Sequence, residues 1–501
     1  MRIGLFLGRA KISKIRGKLR LQSSLLTSMR IKQFEDKGLS HYSYVIISEG
    51  EAALIDPGRD PAPYYEFVRQ QEARITAVLE THSHADFVSS HLEIAETSGA
   101  LIYASEFMKA GFPHQAVRDG EMIKLGKVSF KVLYTPGHSY DSVCFLLLDE
   151  TGSEHALFSG DTLFIGDVGR PDLRESVQDN PAKREELALA MFRTIREKLR
   201  PLNDEILLYP AHGAGTLCGK SLSDANSSTI GAEKTGNYAF RITDENEFLN
   251  ALLEEQPFMP RYFNHDVALN RQGAPAWKEA LENIPRYAGD SLPDDLAFQD
   301  DRNTQPKDEP RRGQNGKPPN GGGPIIIDAR PTIKFRENHL KGALNVPDGL
   351  KFETWLGSIL SPDENFYLLA ENAETMEILL AKIAKIGYEK GVSGAIIGLS
   401  GQYECYNAAL PADFDRSPEN YTIIDARNKS EYARGAYFPE AINIPLPELR
   451  ERAGEVPLDK PLVVHCAAGY RSAIASSILQ AQVSQNVYDM GNAIEKKKNA
   501  S

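Results

Sequence analysis

The chain has 501 residues, of which 41% are hydrophobic and 25% are charged, and its formal net charge at pH 7 is −12. This length predicts about three domains of ordinary globular composition, and the negative charge argues against a nucleic acid or an anionic membrane as a partner. No apolar run approaches the roughly 20 residues that a membrane-spanning helix needs.

Residues 1–28 differ from the rest of the chain because they contain basic residues and no acidic one. The favoured interpretation is an over-extended start with translation beginning at Met29, and an organelle transit peptide is the alternative. The cysteines are far apart and match no disulfide framework, which indicates a reducing compartment. We therefore expect a cytoplasmic protein, or a protein of an organelle matrix if residues 1–28 are a transit peptide. The cysteines are Cys144, Cys218, Cys405 and Cys466.

Residues 29–245 are predicted to form the first domain, in which short strands alternate with helical stretches. The segment "YVIISEGEAALID" predicts a hairpin because two apolar runs flank a Glu-Gly turn. Four later apolar runs each end close to a histidine or an aspartate, in "RITAVLETHSH", "VSFKVLYTPGHS", "HALFSGDTLF" and "EILLYPAHG". Loops at strand ends are where binding residues are expected, since the sheet holds them rigidly.

Residues 246–323 are predicted to form a helical tail that leads into a linker. The stretch "FLNALLEEQPF" is amphipathic, whereas residues 300–324 are almost free of apolar side chains and rich in Gly, Pro and charged residues. This composition is typical of a flexible linker. We therefore expect the two halves of the chain to be coupled by diffusion or loose docking rather than by one rigid channel.

The remainder of the chain repeats one pattern over residues 324–412 and 413–501. Both "PIIIDARPTIKFRENHLKGALNVP" and "YTIIDARNKSEYARGAYFPEAINIP" give a buried strand, Asp-Ala-Arg, a helical stretch and Ala-x-Asn-x-Pro. Asp328 corresponds to Asp425, and Asn345 corresponds to Asn443. Strands that alternate with helices in units of about a hundred residues indicate two small α/β domains.

A candidate metal site is formed by residues of the strand-end loops. The segment "THSHADF" alternates two histidines and an aspartate, and three further loops each supply one histidine or aspartate. Imidazole and carboxylate together suit Zn, Fe or Mn. Histidines that only stabilise their own loops would not explain why every one follows a strand. The candidate residues are His82, His84, Asp86, His138, Asp161 and His212.

These motifs resemble the metallo-β-lactamase fold superfamily over residues 31 to about 215, which implies an αββα sandwich. Two-metal members such as glyoxalase II fill their first site from the positions of His82, His84, His138 and Asp161. They fill their second site from the positions of Asp86, Phe87 and His212, with Asp161 bridging. Phenylalanine cannot bind a metal, so the resemblance implies a poor second site.

A narrower resemblance is to the persulfide dioxygenases of this superfamily, carried by "THSHADF", "TPGHSYDSVCF", "SGDTLFIGDVGRPDL" and "YPAHGAGTLCGKSL". It implies one Fe(II), with Zn as the alternative metal, held by His82, His138 and Asp161. Two histidines and one carboxylate leave three faces for O₂ and a substrate sulfur. His84, Asp86 and His212 then become groups that orient these ligands. His91 could reach the space left by Phe87, although core packing or exposure is the favoured interpretation.

The substrate that this resemblance implies is glutathione persulfide, so glutathione is part of the substrate. "GRPDL" resembles the segment that contacts glutathione in relatives, and Arg170 within it could pair with a carboxylate through two hydrogen bonds. An ordinary surface arginine is an equal alternative. Lys220 and Tyr262 are further candidates for binding the substrate.

The segment "VVHCAAGYRS" places Cys466 between an apolar strand and a helix. Inward-pointing backbone N–H groups, the helix N-terminus and Arg471 would stabilise an anionic persulfide there. Both repeats resemble rhodanese domains, which implies sulfur transfer through Cys466 with sulfite and thiosulfate as partners. The first repeat departs from the pattern, since Ala370 stands at the cysteine position and the loop's Gly and Arg are missing. The second repeat departs from it at its end, "DMGNAIEKKKNAS", which lacks the usual Gly-Gly turn.

The sequence therefore predicts a persulfide dioxygenase that oxidises glutathione persulfide to sulfite, joined to a sulfurtransferase. One alternative is a glyoxalase II-like thioesterase, which needs two metals. The other is a non-catalytic sulfur carrier or persulfide sensor, which needs Cys466 but no intact metal triad. A homodimer is compatible with the sequence, which does not define the oligomeric state.

Overall fold

The computed structural model describes residues 29–173, 181–220, 222–254, 256–297, 324–405 and 410–495. The basic extension over 1–28 and nearly all of the predicted linker over 300–324 lie outside these residues. Within them, the chain forms two packed sheets followed by two smaller parallel sheets. No helix in this part of the chain is long and apolar enough to span a membrane.

The first sheet has the strand order β1-β2-β3-β4-β5-β6. It begins with the predicted hairpin, whose turn residues Glu49 and Gly50 both have positive φ, at 52° and 77°. Its strands are β1 (Met29–Asp36), β2 (His41–Ser48), β3 (Glu51–Ile55), β4 (Arg74–Leu79), β5 (Leu101–Ser105) and β6 (Gln115–Val117). Two helices connect its parallel strands, α1 (Ala62–Gln70) and α2 (His91–Ser98).

The second sheet has the order β12-β11-β10-β9-β8-β7 and packs on the first through an apolar core between them. Its strands are β7 (Met122–Leu125), β8 (Val128–Tyr134), β9 (Val143–Leu148), β10 (Glu154–Gly160), β11 (Leu207–Pro210) and β12 (Ser228–Thr229). The helices of this region are α3 (Pro181–Arg193), which continues as a π-helix over Thr194–Leu199, α4 (Ile230–Gly236), α5 (Tyr238–Arg241) and α6 (Glu245–Leu253). The predicted αββα sandwich is confirmed.

The third sheet, built by the first repeat, has the order β13-β17-β16-β14-β15. Its strands are β13 (Arg286–Ala288), β14 (Ile325–Asp328), β15 (Leu344–Asn345), β16 (Phe366–Ala370) and β17 (Val392–Ile397). The helices before it are α7 (Phe263–Gln272) and α8 (Trp277–Glu282), and α9 (Asp294–Ala297) lies between β13 and β14. Its own helices are α10 (Thr332–Glu337), α11 (Phe352–Ile359) and α12 (Ala373–Lys385). Because β13 pairs with β17, the segment 246–323 is not only a tail and linker as predicted: it contributes a strand to the first repeat.

The fourth sheet, built by the second repeat, has the order β19-β18-β20-β21. Its strands are β18 (Thr422–Asp425), β19 (Ile442–Asn443), β20 (Leu462–His465) and β21 (Val487–Asp489). Its helices are α13 (Lys429–Arg434), α14 (Leu446–Arg452) and α15 (Tyr470–Gln482).

The two repeats share the same internal hydrogen bonds at the sequence positions that correspond. Asn345 Nδ2 donates to the carbonyl oxygens of Asp328 and Arg330, at 2.9 and 3.0 Å. In the second repeat, Asn443 Nδ2 donates to the carbonyl of Asp425 at 2.9 Å. The repeated Asp-Ala-Arg and Ala-x-Asn-x-Pro segments are therefore structural: the amide of the asparagine ties two strand-end loops together.

The repeats pack against the sandwich rather than hanging from a loose tether. One continuous apolar core joins Phe87 of the sandwich, Leu356 of the first repeat and Leu449 of the second. Across the first interface, the buried side chains of Arg59 and Glu389 approach to 3.4 Å. The structure therefore contradicts the expectation of loosely docked halves, because apolar surface on each part is buried only when they are packed together.

Candidate metal centre

The three residues predicted as metal ligands converge at one edge of the sandwich. His82, His138 and Asp161 are buried, and each offers a ligand atom that lies within 4.8 Å of the other two. Nε2 of His82 is 3.8 Å and Nε2 of His138 is 3.7 Å from Oδ2 of Asp161. Two imidazoles and one carboxylate fit a ferrous or zinc ion by donor type.

The backbone around this group is shaped to leave room for it. A Cβ atom at Gly169 would clash with the carbonyl oxygen of Asp161 and would lie 2.9 Å from Nδ1 of His138. Any larger residue at position 169 would therefore displace the loop that carries a ligand. Gly169 of "GRPDL" is thus needed for the loop to pack beside Asp161 and His138.

Two aspartates of the sandwich fix the loop that carries His82. Thr81 donates its backbone N–H and its hydroxyl to Asp56, both at 2.8 Å, and its hydroxyl oxygen lies 3.0 Å from Nδ1 of His82. Ser83 donates its N–H and hydroxyl to Oδ2 of Asp141, at 2.9 and 2.7 Å. Because the hydroxyl of Thr81 contacts Nδ1 of His82, Nε2 of the same ring is left facing the centre, as expected for a ligand oriented by its neighbours.

The remaining predicted residues form a second donor group beside the first. One ligand atom each of His84, Asp86 and His212 lies within 4.8 Å of the others. Nε2 of His212 is 3.3 Å from Oδ2 of Asp86 and 3.4 Å from Oδ1 of Asp161. That these three orient the first group stays a prediction, and together they also make a candidate metal site that adjoins Asp161.

Two observations show that this second group suits a cation. Oδ1 of Asp86 is buried and has no hydrogen-bond partner among the described residues. Nδ1 of His212 lies 3.2 Å from the carbonyl oxygen of Ser40, which turns Nε2 toward the aspartates. Nε2 of His84 also lies 3.1 Å from Oδ1 of Asp56. His84 can therefore either pair with Asp56 or bind a metal through this nitrogen.

Phe87 fills the position where two-metal members of the superfamily have a histidine. Its side chain is 1% exposed, and its ring centroid is 4.4 Å from that of His84. His91 does not enter the space beside it. Instead, His91 is fully buried, packs 4.5 Å from the ring of Phe112 and places Nδ1 3.6 Å from Glu80, which confirms the interpretation of a core-packed histidine.

Two buried residues at the centre were not predicted from the sequence. The ring of His41 lies 5.6 Å from that of His212, and a thiol of Cys218 groups with Asp161 and His212 within 4.8 Å. Cys218 follows His212 by six residues in "YPAHGAGTLCGKSL". This short separation in the sequence could have predicted that the thiol lies near the metal centre. His41 belongs to no motif, and only the pairing of its strand beside His212 reveals it.

Burial dominates the electrostatics of the centre. It raises the pKa of Asp161 above its ordinary value and the pKa of Glu80 to about 8, and it lowers the pKa of His41 well below its ordinary value. Burial also opposes the charged form of His84, but the carboxylates of Asp56, Glu80 and Asp161 together outweigh it and raise the pKa of His84 to about 9. A bound cation would favour the ionised carboxylates and reverse this balance.

The three predicted substrate-binding residues are engaged elsewhere. Arg170 is 3% exposed, and its Nε and Nη2 donate to Asp172 at 2.7 and 2.8 Å. Lys220 donates from Nζ to the carbonyl oxygens of Ala251 and Glu254. Tyr262 is 1% exposed and lies in the shared core. The structure therefore does not support Arg170 as a free carboxylate anchor, because Asp172 already neutralises it, and it places Tyr262 inside the protein.

The predicted cysteine loop has the expected form in the second repeat. Cys466 directly follows β20, and the N–H of Gly469 donates to its Sγ at 3.1 Å. Arg471 lies at the start of α15 and is held by Glu431, with Nη2 to Oε1 at 2.8 Å. The loop thus offers a backbone donor to the sulfur, as an anionic sulfur adduct needs, whereas the guanidinium of Arg471 is paired with Glu431.

Strand pairing identifies the equivalent position in the first repeat. Asp425 pairs with His465, the residue before Cys466, and Asp328 pairs with Leu369, the residue before Ala370. Ala370 therefore occupies the place of the cysteine. A methyl side chain cannot carry sulfur, so the first repeat has no equivalent transfer site.

Comparisons with known proteins agree with the two-part architecture. The family description "Metallo-beta-lactamase superfamily" matches residues 36–212, and "Rhodanese-like domain" matches residues 410–500. A hydroxyacylglutathione hydrolase of Francisella tularensis subsp. novicida (strain U112) is 35% identical over 186 residues, which cover 37% of this chain and 68% of the relative.

Among solved structures, a metallo-beta-lactamase from Staphylococcus aureus subsp. aureus COL is similar, with a TM-score of 0.61 and 29% identity over 74% of this chain and 99% of its own. The likeness thus extends beyond the sandwich. ETHE1 from Myxococcus xanthus has a TM-score of 0.41 and 27% identity, and covers 48% of this chain and 98% of its own.

Proposed function

We propose that this chain, which belongs to the metallo-beta-lactamase superfamily and ends in a rhodanese-like domain, is a persulfide dioxygenase coupled to a sulfurtransferase. Its proposed substrate is glutathione persulfide. In the balanced reaction, glutathione persulfide, O₂ and water give glutathione, sulfite and two protons. The outer sulfur is oxidised and O₂ is reduced.

The observation that carries this proposal is the convergence of His82, His138 and Asp161 within 4.8 Å, with Phe87 in the place of a further ligand. When bound by this set, a ferrous ion supplies open coordination positions and redox chemistry toward O₂. The chain's own groups hold the set in place: Thr81 and Asp56 fix the loop of His82, and Gly169 leaves the room that His138 requires.

Cys466 is proposed to carry the sulfur that links the two reactions. Its thiolate attacks the outer sulfur of glutathione persulfide, and glutathione leaves as a thiolate. Sulfite then attacks the outer sulfur on Cys466, the bond between this sulfur and Sγ breaks, and Cys466 leaves as a thiolate while thiosulfate and the persulfide proton are released. The N–H of Gly469, which donates to Sγ of Cys466, is proposed to stabilise the negative sulfur in both steps. Arg471 is proposed to assist, although Glu431 shares its charge.

A second candidate function is hydrolysis of a glutathione thioester. The group His84, Asp86 and His212, adjacent to Asp161, favours it because a two-metal hydrolase needs a second site. The similarity to hydroxyacylglutathione hydrolases points the same way. Phe87 counts against it, since the position contributes no ligand and its ring packs against His84.

The two functions are separated by offering both substrates to the same anaerobically purified protein. A dioxygenase consumes O₂ with glutathione persulfide, releases sulfite and leaves a hydroxyacylglutathione thioester intact. Thioester hydrolysis without persulfide-dependent O₂ uptake would assign the hydrolase function. Neither activity, with sulfur still transferred through Cys466, would make the chain a sulfur carrier or sensor.

A further inference from the structure

We propose that the first repeat, which has Ala370 in place of the transfer cysteine, completes the substrate site of the metal centre, and that Lys351 is the cation by which it holds a carboxylate of the glutathione moiety. This inference rests on the proposed function only for its glutathione-bearing substrate, which the persulfide and thioester reactions share.

Lys351 crosses from the first repeat into the sandwich. It directly precedes α11, and its Nζ donates to Oγ of Ser40 at 3.0 Å and to the carbonyl oxygen of Gly215 at 3.2 Å. Ser40 lies between β1 and β2, and Gly215 follows β11. The ammonium group of Lys351 therefore donates to two loops of the sandwich and not to the first repeat that carries it.

Both of these loops belong to the candidate metal centre. The carbonyl oxygen of Ser40 lies 3.2 Å from Nδ1 of His212 and accepts the N–H of Gly213 at 3.0 Å. Gly215 follows His212 by three residues. Burial lowers the pKa of Lys351, and the carboxylates of Glu353, Asp36 and Asp86 act in the opposite direction. The cation is thus at the edge of the group formed by His84, Asp86 and His212.

The ammonium of Lys351 is not neutralised by an ion pair. Both of its hydrogen-bond acceptors are uncharged, and it forms no ion pair with a carboxylate of the described residues. An ammonium has three donors, so one is left for a further partner. The side chain is half-buried, and a partly desolvated cation with a spare donor binds a carboxylate more strongly than a fully hydrated one.

The predicted anchors of the sandwich do not fill this role. Arg170 is neutralised by Asp172, and Nζ of Lys220 donates to two backbone carbonyl oxygens. Glutathione carries two carboxylates, which a cation binds through charge-assisted hydrogen bonds. The first repeat, with Ala370 in place of the transfer cysteine, would thus supply a charge that Arg170 and Lys220 do not.

The test measures binding rather than turnover, in the metal-loaded full-length protein without oxygen. S-methylglutathione serves as the probe because its thioether cannot react, and its diethyl ester is the matched probe without carboxylates. Lys351→Gln keeps a donor for Ser40 and Gly215 but removes the charge. We expect about a ten-fold or greater rise in the dissociation constant for S-methylglutathione, no change for the ester, and near-normal binding in Lys351→Arg.

Lys382→Gln is the control variant. Lys382 holds the same segment from the other side, donating from Nζ to Asp348 and to the carbonyl oxygen of Gly349 at 2.8 Å. It should bind S-methylglutathione like the wild type. Unchanged binding in Lys351→Gln, equal losses for both probes, or an equal loss in Lys382→Gln would each overturn the proposal. If the protein instead consumes no O₂ with glutathione persulfide, the proposed function fails and this measurement still decides the role of Lys351.

Discussion

The ring of Phe87 packs against the ring of His41, with 3.9 Å between their centroids and an angle of 35° between their planes. Both side chains are buried, at 1% and 2% exposure. The position that supplies a metal ligand in two-metal relatives is therefore part of an aromatic contact here. A second metal bound by His84, Asp86 and His212 would receive no donor from position 87.

Replacement of Phe87 by histidine should add a weak second metal. Asp86 and His212 already face each other at 3.3 Å, so the new imidazole would complete a site whose other donors are in place. We expect metal content above that of the wild type and a reduced rate of O₂ uptake, measured by elemental analysis and an oxygen electrode. Phe87→Leu adds no ligand and is the control. If Phe87→His binds no additional metal, the ring at this position does not face the second group.

Loss of a predicted iron ligand should abolish both metal binding and oxygen consumption. His138→Ala removes one of the two imidazoles beside Asp161, so we expect O₂ uptake with glutathione persulfide to fall by about a hundred-fold or more. His155→Ala is the matched control, because His155 lies at the start of β10 whereas Asp161 follows its end. Iron retained at wild-type content in His138→Ala would remove this histidine from the site.

The two proposed activities should be separable by single substitutions. Cys466→Ser keeps the shape of the side chain but cannot form a persulfide, so thiosulfate sulfurtransferase activity should vanish while O₂ uptake and iron content persist. Asp161→Ala should lose O₂ uptake and keep sulfur transfer. Assays of both activities in both variants give the answer. Because the repeats pack on the sandwich through one core, loss of O₂ uptake in Cys466→Ser would show that the halves form one catalytic unit.

The docking of the first repeat should depend on the buried pair of Arg59 and Glu389. Their side chains are 0% and 4% exposed, and removal of one partner leaves an uncompensated buried charge. Arg59→Ala should therefore lower the free energy of unfolding by about 3–5 kcal/mol. Arg74→Ala breaks an exposed pair with Glu51 and should cost less than about 1 kcal/mol. Urea unfolding measures both, and equal losses would contradict a special role for the buried pair.

The sequence was most informative where a residue's role follows from its position next to a strand. His82, His138 and Asp161 could be predicted because each lies in the loop after an apolar run, and parallel or adjacent strands bring such loops together. The same logic placed Cys466 between β20 and α15. The local pattern is enough in these cases because the strand and the functional loop are continuous in the chain.

The sequence was least informative where the contact joins distant segments. Lys351 and Ser40 are separated by 311 positions, and no motif links them. The engagement of Arg170 with Asp172 could have been suspected, since the two are only two residues apart. The composition of residues 300–324 predicted a flexible linker and thus loose docking, but a linker's composition does not show whether the domains that it joins have complementary apolar surfaces.

The proposed persulfide dioxygenase function is best tested by measuring the metal content per chain together with substrate-dependent O₂ uptake. Full-length protein purified without oxygen should contain about one iron ion per chain, because the two-histidine, one-carboxylate set is complete and Phe87 adds no ligand beside the second group. It should consume O₂ with glutathione persulfide and form sulfite. Two tightly bound metal ions per chain, with hydrolysis of a glutathione thioester and no persulfide-dependent O₂ uptake, would contradict the account.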